Sequence, residues 1–370
     1  MNSVMHHERL KSFMDRNGLD GLVIRSGENF TYLTGLMFPG TLARHLDLIG
    51  SVRSPVLIWP KSGQPEVVLN DFAVGYVQTV SDANIQVYLG YREQPYSKVA
   101  ERVKELELRR VGLEYNYCTM RDFTLLQDAI PNVEFVDVWA GLEEVRWIKT
   151  PGEIALIKKG ADLLDDVHIE VLPKTKPQDT ERTVHARMIA ACIDKGFGWA
   201  HGLLNSHRTE VMYCGESDLS IEQGDLIRTD YVAYLAGSGY LGHQSRNIVV
   251  GKPSQEIAET YTKVREVYGI LMDAIRPGVP VGDLYEKVVA EFEARGLVYS
   301  ALLIGHSVGP WFHQQEPVLR RGSSVLLEKD MVLALEPYYR SYHIQDMVHV
   351  TDNGCTVLSD KINTEKLWVC

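Results

Sequence analysis

The sequence predicts an α+β protein of two domains: an α/β unit over residues 1–148, and a larger unit over 149–370 in which an antiparallel sheet is backed by helices. Three observations predict it. Apolar runs of strand length alternate with helically spaced segments up to residue 138, and a charged stretch with a helix-opening proline follows at 143–153. From residue 224 onward the pattern turns to short strands that each carry a polar group.

In the first unit the strand-length runs are 21–24, 55–58, 66–69, 85–89, 110–115 and 133–138, with helical spacing over 97–108 and 119–130. Gly35 to Gly40 precedes no helix-forming run, so no phosphate-binding loop is expected. Pro151 stands where proline opens a helix. From there Ile154, Ile157, Ala161, Leu164 and Val167 keep a helical period, and a second helix is expected over 181–195.

Gly224-Asp225 reads as a turn into a strand that carries Asp230, and 240–251 reads as its antiparallel neighbour across a Gly-rich hairpin. Asp230 and His243 then meet on one face. Helices over 254–274 and 281–295 precede an apolar run at 301–304, which leads to His306 between Gly305 and Gly309. His313 follows seven residues later, on a segment expected to arch over a cleft. Glu336 ends the run 331–335, and Gln345 and Asp346 sit in a third run. One such residue is as readily a satisfied core polar group, but three strands each delivering one are read as a site.

Composition bounds the function. With 45% hydrophobic residues the chain can bury a large core, and a net charge of -11 offers no basic footprint for nucleic acid or an anionic membrane. A small-molecule substrate or a peptide is the expected partner. No run approaches the ~20 apolar residues of a membrane span, and residues 1–16 are too charged and histidine-rich for a signal peptide, so a cytoplasmic protein is expected. The five cysteines are scattered without a Cys-x-x-Cys pair, which argues against a disulfide framework and a thiolate zinc site.

Gly305-His306-Ser-Val-Gly309 with His313, the run from Met331 ending in Glu336-Pro337, and Ile344-Gln-Asp-Met-Val-His-Val-Thr351 resemble motifs of the creatinase, prolidase and aminopeptidase P (M24-like) family. So do Gly224-Asp225, residues 240–251, Arg146-Trp-Ile-Lys149-Thr-Pro-Gly-Glu153-Ile and Tyr32-Leu-Thr-Gly35. The resemblance covers essentially the whole chain. It implies a pita-bread catalytic domain behind a creatinase-type α/β domain. It also implies a homodimer in which the first domain, near Tyr32 to Phe38, reaches toward the partner's site.

Peptidases of that family hold two divalent metals with two Asp, one His and two Glu. Carried over, the resemblance implies Asp230, His306 and Glu336, but His243 stands for the second Asp and Gln345 for the second Glu. Two carboxylates do not offset two dications, and a neutral amide is a poor bridge, so no dinuclear centre is expected. The histidine that the family places before the Gly-Asp turn is also missing; Tyr213-Cys214-Gly215 stands there, with Cys214 either a packed residue or a nucleophile.

The main expectation is therefore a cofactor-free hydrolase of a C–N bond in a small non-peptide substrate of amidine, guanidino or cyclic-amide type. His306, His313 and Glu336 would handle protons, and Asp230, Tyr213, Cys214, Arg228, Tyr240 and Gln345 would contact substrate, with Asn205 and Arg208 as further candidates. The alternative is one zinc, iron or manganese ion on Asp230, His243, His306 and Glu336, serving Xaa-Pro dipeptidase, aminopeptidase-like or lyase chemistry. A third possibility is a non-catalytic binding protein on the same fold.

Overall fold

Along the first unit, alternate residues of each strand face opposite sides of a sheet, and helices cover both. The computed structural model describes residues 2–37, 54–90, 92–209 and 215–370. Its two units are Met1–Arg146 and Trp147–Cys370. The first begins with α1 (His7–Arg16), β1 (Gly21–Arg25), α2 (Glu28–Thr34), β2 (Val56–Pro60) and β3 (Glu66–Asn70). It continues through α3 (Val74–Val80), β4 (Asn84–Tyr88), α4 (Pro95–Glu105), β5 (Arg110–Leu113), α5 (Met120–Ala129), β6 (Glu134–Asp137) and α6 (Trp139–Trp147).

The strands form one mixed sheet in the order β4-β3-β2-β1-β5-β6. Leu22 and Ile24 pack into one core with Phe13, Phe30 and Leu142, while Val23 packs into the other with Val99, Val103 and Leu126. Tyr32 is a core residue whose hydroxyl accepts from the His6 amide at 2.9 Å. Phe38 and Gly40 lie outside the described residues.

This unit also buries carboxylates, Glu28 and Glu114 among them. Tyr117 donates to Glu28 at 2.8 Å, and Asn29 donates to Glu114 at 2.6 Å. Burial first, and the neighbouring Glu28 second, push Glu114 from the ordinary 4.5 up to about 8. The folded chain thus keeps a proton that the unfolded chain releases above 4.5, so this group's contribution to stability falls as pH rises from about 4.5 to 8. Glu114→Gln should flatten that part of the profile, and denaturant titrations of both proteins across the window check it.

The second unit opens with α7 (Pro151–Val171), whose first turn is a capping box: the Glu153 amide donates to Thr150 and Glu153 accepts from the Thr150 amide. It proceeds through α8 (Glu181–Asp194), β7 (Phe197–Ser206), β8 (Leu226–Leu235), β9 (Leu241–Gln244), β10 (Asn247–Val249), α9 (Gln255–Ala274) and α10 (Val281–Ala294). It ends with β11 (Leu303–Gly309), β12 (Phe312–Arg320), β13 (Val332–Leu335), β14 (Asp346–Val350), β15 (Cys355–Val357) and β16 (Trp368–Val369).

Two half-sheets result, β16-β10-β8-β7 with β9 also on β8, and β12-β11-β13-β14-β15. They are joined by an isolated antiparallel bridge between Ser245 and Gln345. Helix α7 lies against β9 with no side chain between: a Cβ on Gly160 would stand 2.6 Å from the Leu241 backbone, and one on Gly242 2.4 Å from the Gly160 carbonyl oxygen. Helices α9 and α10 cover the other half-sheet, with Val267, Leu271, Val288 and Phe292 packed against Leu333, Leu335 and Val348. Thus α7 fixes the strand that carries His243, and α9 and α10 fix the strands around Glu336.

The expected apolar strand at 301–304 is placed differently. Leu302 is 84% exposed, and the strand starts at Leu303 and runs through His306. His306 and His313 therefore lie on adjacent antiparallel strands of a hairpin instead of on an irregular arch. Register shifts along β11 and β12, with Gly305 and Gly309 inside the strand, are what give this stretch the look of a loop.

Candidate active site

Pairing of β8 with β9 sets Val232 opposite His243, which leaves the His243 ring beside Asp230. His243 Nε2 is 3.2 Å from Asp230 Oδ1 and 3.0 Å from the Gln345 amide nitrogen, and its buried Nδ1 has no hydrogen-bond partner among the described residues. Burial opposes the charge on Asp230, yet the hydrogen bond with His243 and nearby positive groups, Arg228 among them, hold its carboxyl well below the usual range. Arg228 is buried two residues earlier on β8, on the same face of the strand. Gln345 is fixed from its other end, where Ser245 Oγ donates to its Oε1 at 2.8 Å.

On the second half-sheet, β11 brings His306 opposite Ala334 of β13, so that Glu336, just past β13, reaches its ring. Nε2 of His306 is 3.4 Å from Glu336 Oε1, and Nε2 of His343 is 3.5 Å from Glu336 Oε2. The His306 Nδ1 stands 3.0 Å from the Ser307 carbonyl, which can only accept, so Nδ1 carries the proton and Nε2 turns a lone pair toward the carboxyl. Burial, and then His243, keep His306 well below the ordinary histidine range; burial, and then Asp230, lift Glu336 well above the carboxylate range. Two acceptors face each other, and only a proton or a cation between them makes the contact favourable.

A cleft of about 450 Å³ opens over these groups, lined by Asp230, His243 and Glu336 together with His201 and His313. His313 packs edge-on against His243 at 5.3 Å between ring centres and lies 6.2 Å from His306. Burial first, and then His243, push it down to about 3, so its ring is neutral at pH 7. His306, His313 and Glu336 are thus gathered, but it is His306, not His313, that pairs with Glu336. Leu303, Val232 and the exposed Leu302 make the cleft's apolar side.

Other expected contact residues are engaged with neighbouring groups. Tyr240 is buried and donates to Glu153 at 2.9 Å, locking the first turn of α7. Arg208 grips both oxygens of Asp225, at 2.7 and 2.9 Å, and Asn205 donates to Glu181 and to the Gly215 carbonyl. Lys149 donates to Ser307 at 2.8 Å, beside His306 on β11. Tyr213 and Cys214 lie outside the described residues. His343 and the cleft position of His201 were not found by motif reading, because neither stands in a patterned segment; only the pairing of the strands brings them in.

The model of metallopeptidase family M24 matches residues 155–352, and that of the creatinase/prolidase N-terminal domain matches residues 6–148. The chain belongs to family M24. Its similarity extends end to end: an uncharacterized peptidase, YqhT, of Bacillus subtilis is 26% identical over 95% of this chain and 96% of its own. An Xaa-Pro dipeptidase of Lactobacillus delbrueckii is 22% identical over 96% and 94%. The solved structure of an Xaa-Pro dipeptidase from Bacillus anthracis superposes with a TM-score of 0.83 at 22% identity, covering 98% of each chain. The fold is therefore the pita-bread fold behind a creatinase-type domain, and the chain is of a hydrolase family.

These M24 relatives overturn the expectation of a non-peptide C–N substrate: those whose names state an activity are peptidases, dipeptidases and Xaa-Pro dipeptidases. That expectation rested on the two changed ligands, and losing a second metal does not by itself change the bond attacked. No helix among the described residues is long and apolar enough to cross a membrane.

An M24 metal pair does not fit these residues. Asp230 and Glu336 are the two carboxylates facing the cluster, and Gln345 spends its oxygen on Ser245. Among the described residues no three ionisable donors are grouped as a ready-made metal site; Asp230 stands with His243, and Glu336 lies between His306 and His343. By donor chemistry a single cation does fit: two imidazoles and two carboxylates suit zinc, iron or manganese, and the lone pair of His306 already faces an oxygen of Glu336.

Proposed function

We propose that this chain is a peptidase of short substrates, with dipeptides, Xaa-Pro among them, as the substrate class, and that Asp230, His243, His306 and Glu336 hold one divalent cation. The observation that supports it most directly is the lone pair of His306 Nε2, which faces Glu336 Oε1 at 3.4 Å, with Glu336 on the wall of a cleft of about 450 Å³. When bound, such a cation polarises a carbonyl and lowers the pKa of a water molecule.

The chain's own groups supply the rest. Asp230, kept ionised, attracts a substrate ammonium group. Glu336, a carboxylate on the wall of the cleft, is placed to take a proton from the attacking water and pass it to the leaving nitrogen as the C–N bond breaks. His313, neutral and at the cleft wall, can donate an N–H to the scissile carbonyl. Leu302 and Leu303 provide an apolar rim for a side chain or a proline ring.

The test is a panel of dipeptides and tripeptides assayed with metal-stripped protein and with added Zn²⁺, Fe²⁺ or Mn²⁺. Cleavage of dipeptides, restored at about one equivalent of metal by calorimetric titration, is the expected result. Full activity after exhaustive chelation, or binding of two equivalents with similar affinity, overturns the single-cation reading.

A further inference from the structure

Position 343 takes no ligand role from the M24 resemblance, which assigns 230, 243, 306, 336 and 345. His343 is nevertheless fully buried, and neither of its ring nitrogens has a hydrogen-bond partner among the described residues. An imidazole left so is costly unless something pairs with it. Its backbone is firmly held. The antiparallel bridge of Ser245 with Gln345 puts Asn247 opposite position 343, and the Asn247 side chain accepts from the His343 amide at 2.8 Å and donates to the Ser341 carbonyl at 2.9 Å. Residues 343 and 345 are two apart on this paired stretch, so the His343 ring turns to the side on which Gln345 meets His243.

The contacts of Glu336 have a telling length. His306 Nε2 stands 3.4 Å from its Oε1, and His343 Nε2 stands 3.5 Å from its Oε2. A nitrogen–oxygen hydrogen bond spans ~2.7–3.2 Å, so both separations exceed it. Two donors each ~2.0–2.1 Å from a tetrahedral zinc stand about 3.3–3.4 Å from one another, which is close to both. The carboxyl group is thus set between two imidazoles at the spacing of ligands that share an ion.

We infer that His343, through Nε2, is a further ligand of the divalent cation and supplies the donor that Gln345 does not offer. The inference deepens the single-cation reading and rests on it. Gln345 has its amide oxygen on Ser245 at 2.8 Å and turns its nitrogen to His243 at 3.0 Å, so the ion must find its remaining donor elsewhere. With His343 the set becomes three imidazoles and two carboxylates. Such a set favours zinc, cobalt or iron over calcium and magnesium, which ask for oxygen ligands.

The experiment loads metal-stripped wild type and His343→Phe with one equivalent of Co²⁺ and counts the imidazole N–H proton resonances that the paramagnetic ion shifts far outside the ordinary range. A histidine bound through one ring nitrogen contributes one such signal from the other. Wild type should show three, for His243, His306 and His343. His343→Phe should show two, with Co²⁺ affinity lowered at least about 10-fold by calorimetric titration. His313→Phe, which alters a cleft imidazole outside the set, should keep all three. A merely supporting His343 would also lower affinity on replacement, but wild type would then show two signals, and that count overturns the inference. So does a His343→Phe protein with three signals or unchanged affinity. The wild-type count stands even where the variant does not fold. Absence of any Co²⁺ binding by wild type rejects the single-cation reading together with the inference, whereas binding with two signals keeps that reading and removes His343 alone.

Discussion

On the proposed single-cation dipeptidase reading, Glu336→Gln should lower kcat/KM for a dipeptide by about 10²–10⁴ and weaken divalent-cation affinity, while the folded chain stays at least as stable as before. The reason lies in what faces the side chain. Its two oxygens meet His306 Nε2 at 3.4 Å and His343 Nε2 at 3.5 Å, and the His306 atom is a lone pair. An amide of the same shape can donate to that lone pair, which relieves the mismatch in the ion-free protein. It cannot carry a proton from water to a leaving nitrogen, and it removes one of two negative charges from the ion's surroundings. Steady-state kinetics, metal titration and a melting curve on one preparation separate these effects. A variant that keeps more than half of its activity would show that Glu336 is not the proton carrier.

The largest effect on stability is expected for Arg246→Met. The Arg246 guanidinium is 2% exposed and pairs with Asp165 and Asp346, each at 2.9 Å. It also donates to the carbonyls of Ser245 at 3.0 Å and Gln345 at 2.6 Å, the two residues that bridge the half-sheets. Burial first, and the neighbouring Asp346 among the rest, already raise Asp165 to about 6 with the arginine present. Removing one partner of a buried pair leaves the others uncompensated, at a cost of about 3–5 kcal/mol. For a unit of this size that is a loss of roughly 10 °C in melting temperature. Lysine should rescue little, since a point charge cannot reach two carboxylates and two carbonyls at once. A calorimetric scan showing a drop of only a degree or two would mean that the two carboxylates take up protons at little cost.

Much of the fold could be read in the sequence because its signals are local. Pro151 opens α7, with Glu153 returning to Thr150, and the hairpin after Asp230 sets His243 on the same face, 3.2 Å away. The pairing of His306 with Glu336 follows the same logic, since each ends or crosses a buried strand. His343 was not legible. It stands among tyrosines with nothing periodic around it, and it matters only because Glu336 folds back over it. His201 stands in no motif, yet the pairing of a ten-residue strand places it in the cleft. The substrate class was misjudged for another reason. Charge counting on Asp230, Glu336, His243 and Gln345 bears on how many cations fit, whereas the bond attacked depends on the shape and donors of the whole cleft.

The bridge between Ser245 and Gln345 also has a consequence in time. Asp230 and His243 are 13 residues apart, whereas His243 and Gln345 are separated by 102. Closing the longer loop costs roughly 2 kcal/mol more in chain entropy, and contacts so distant in sequence form late. A chain emerging from synthesis therefore displays one aspartate–histidine pair long before the strands bearing His306 and Glu336 arrive to complete the cluster. Until the two half-sheets meet, the cleft and the cluster that lines it do not yet exist.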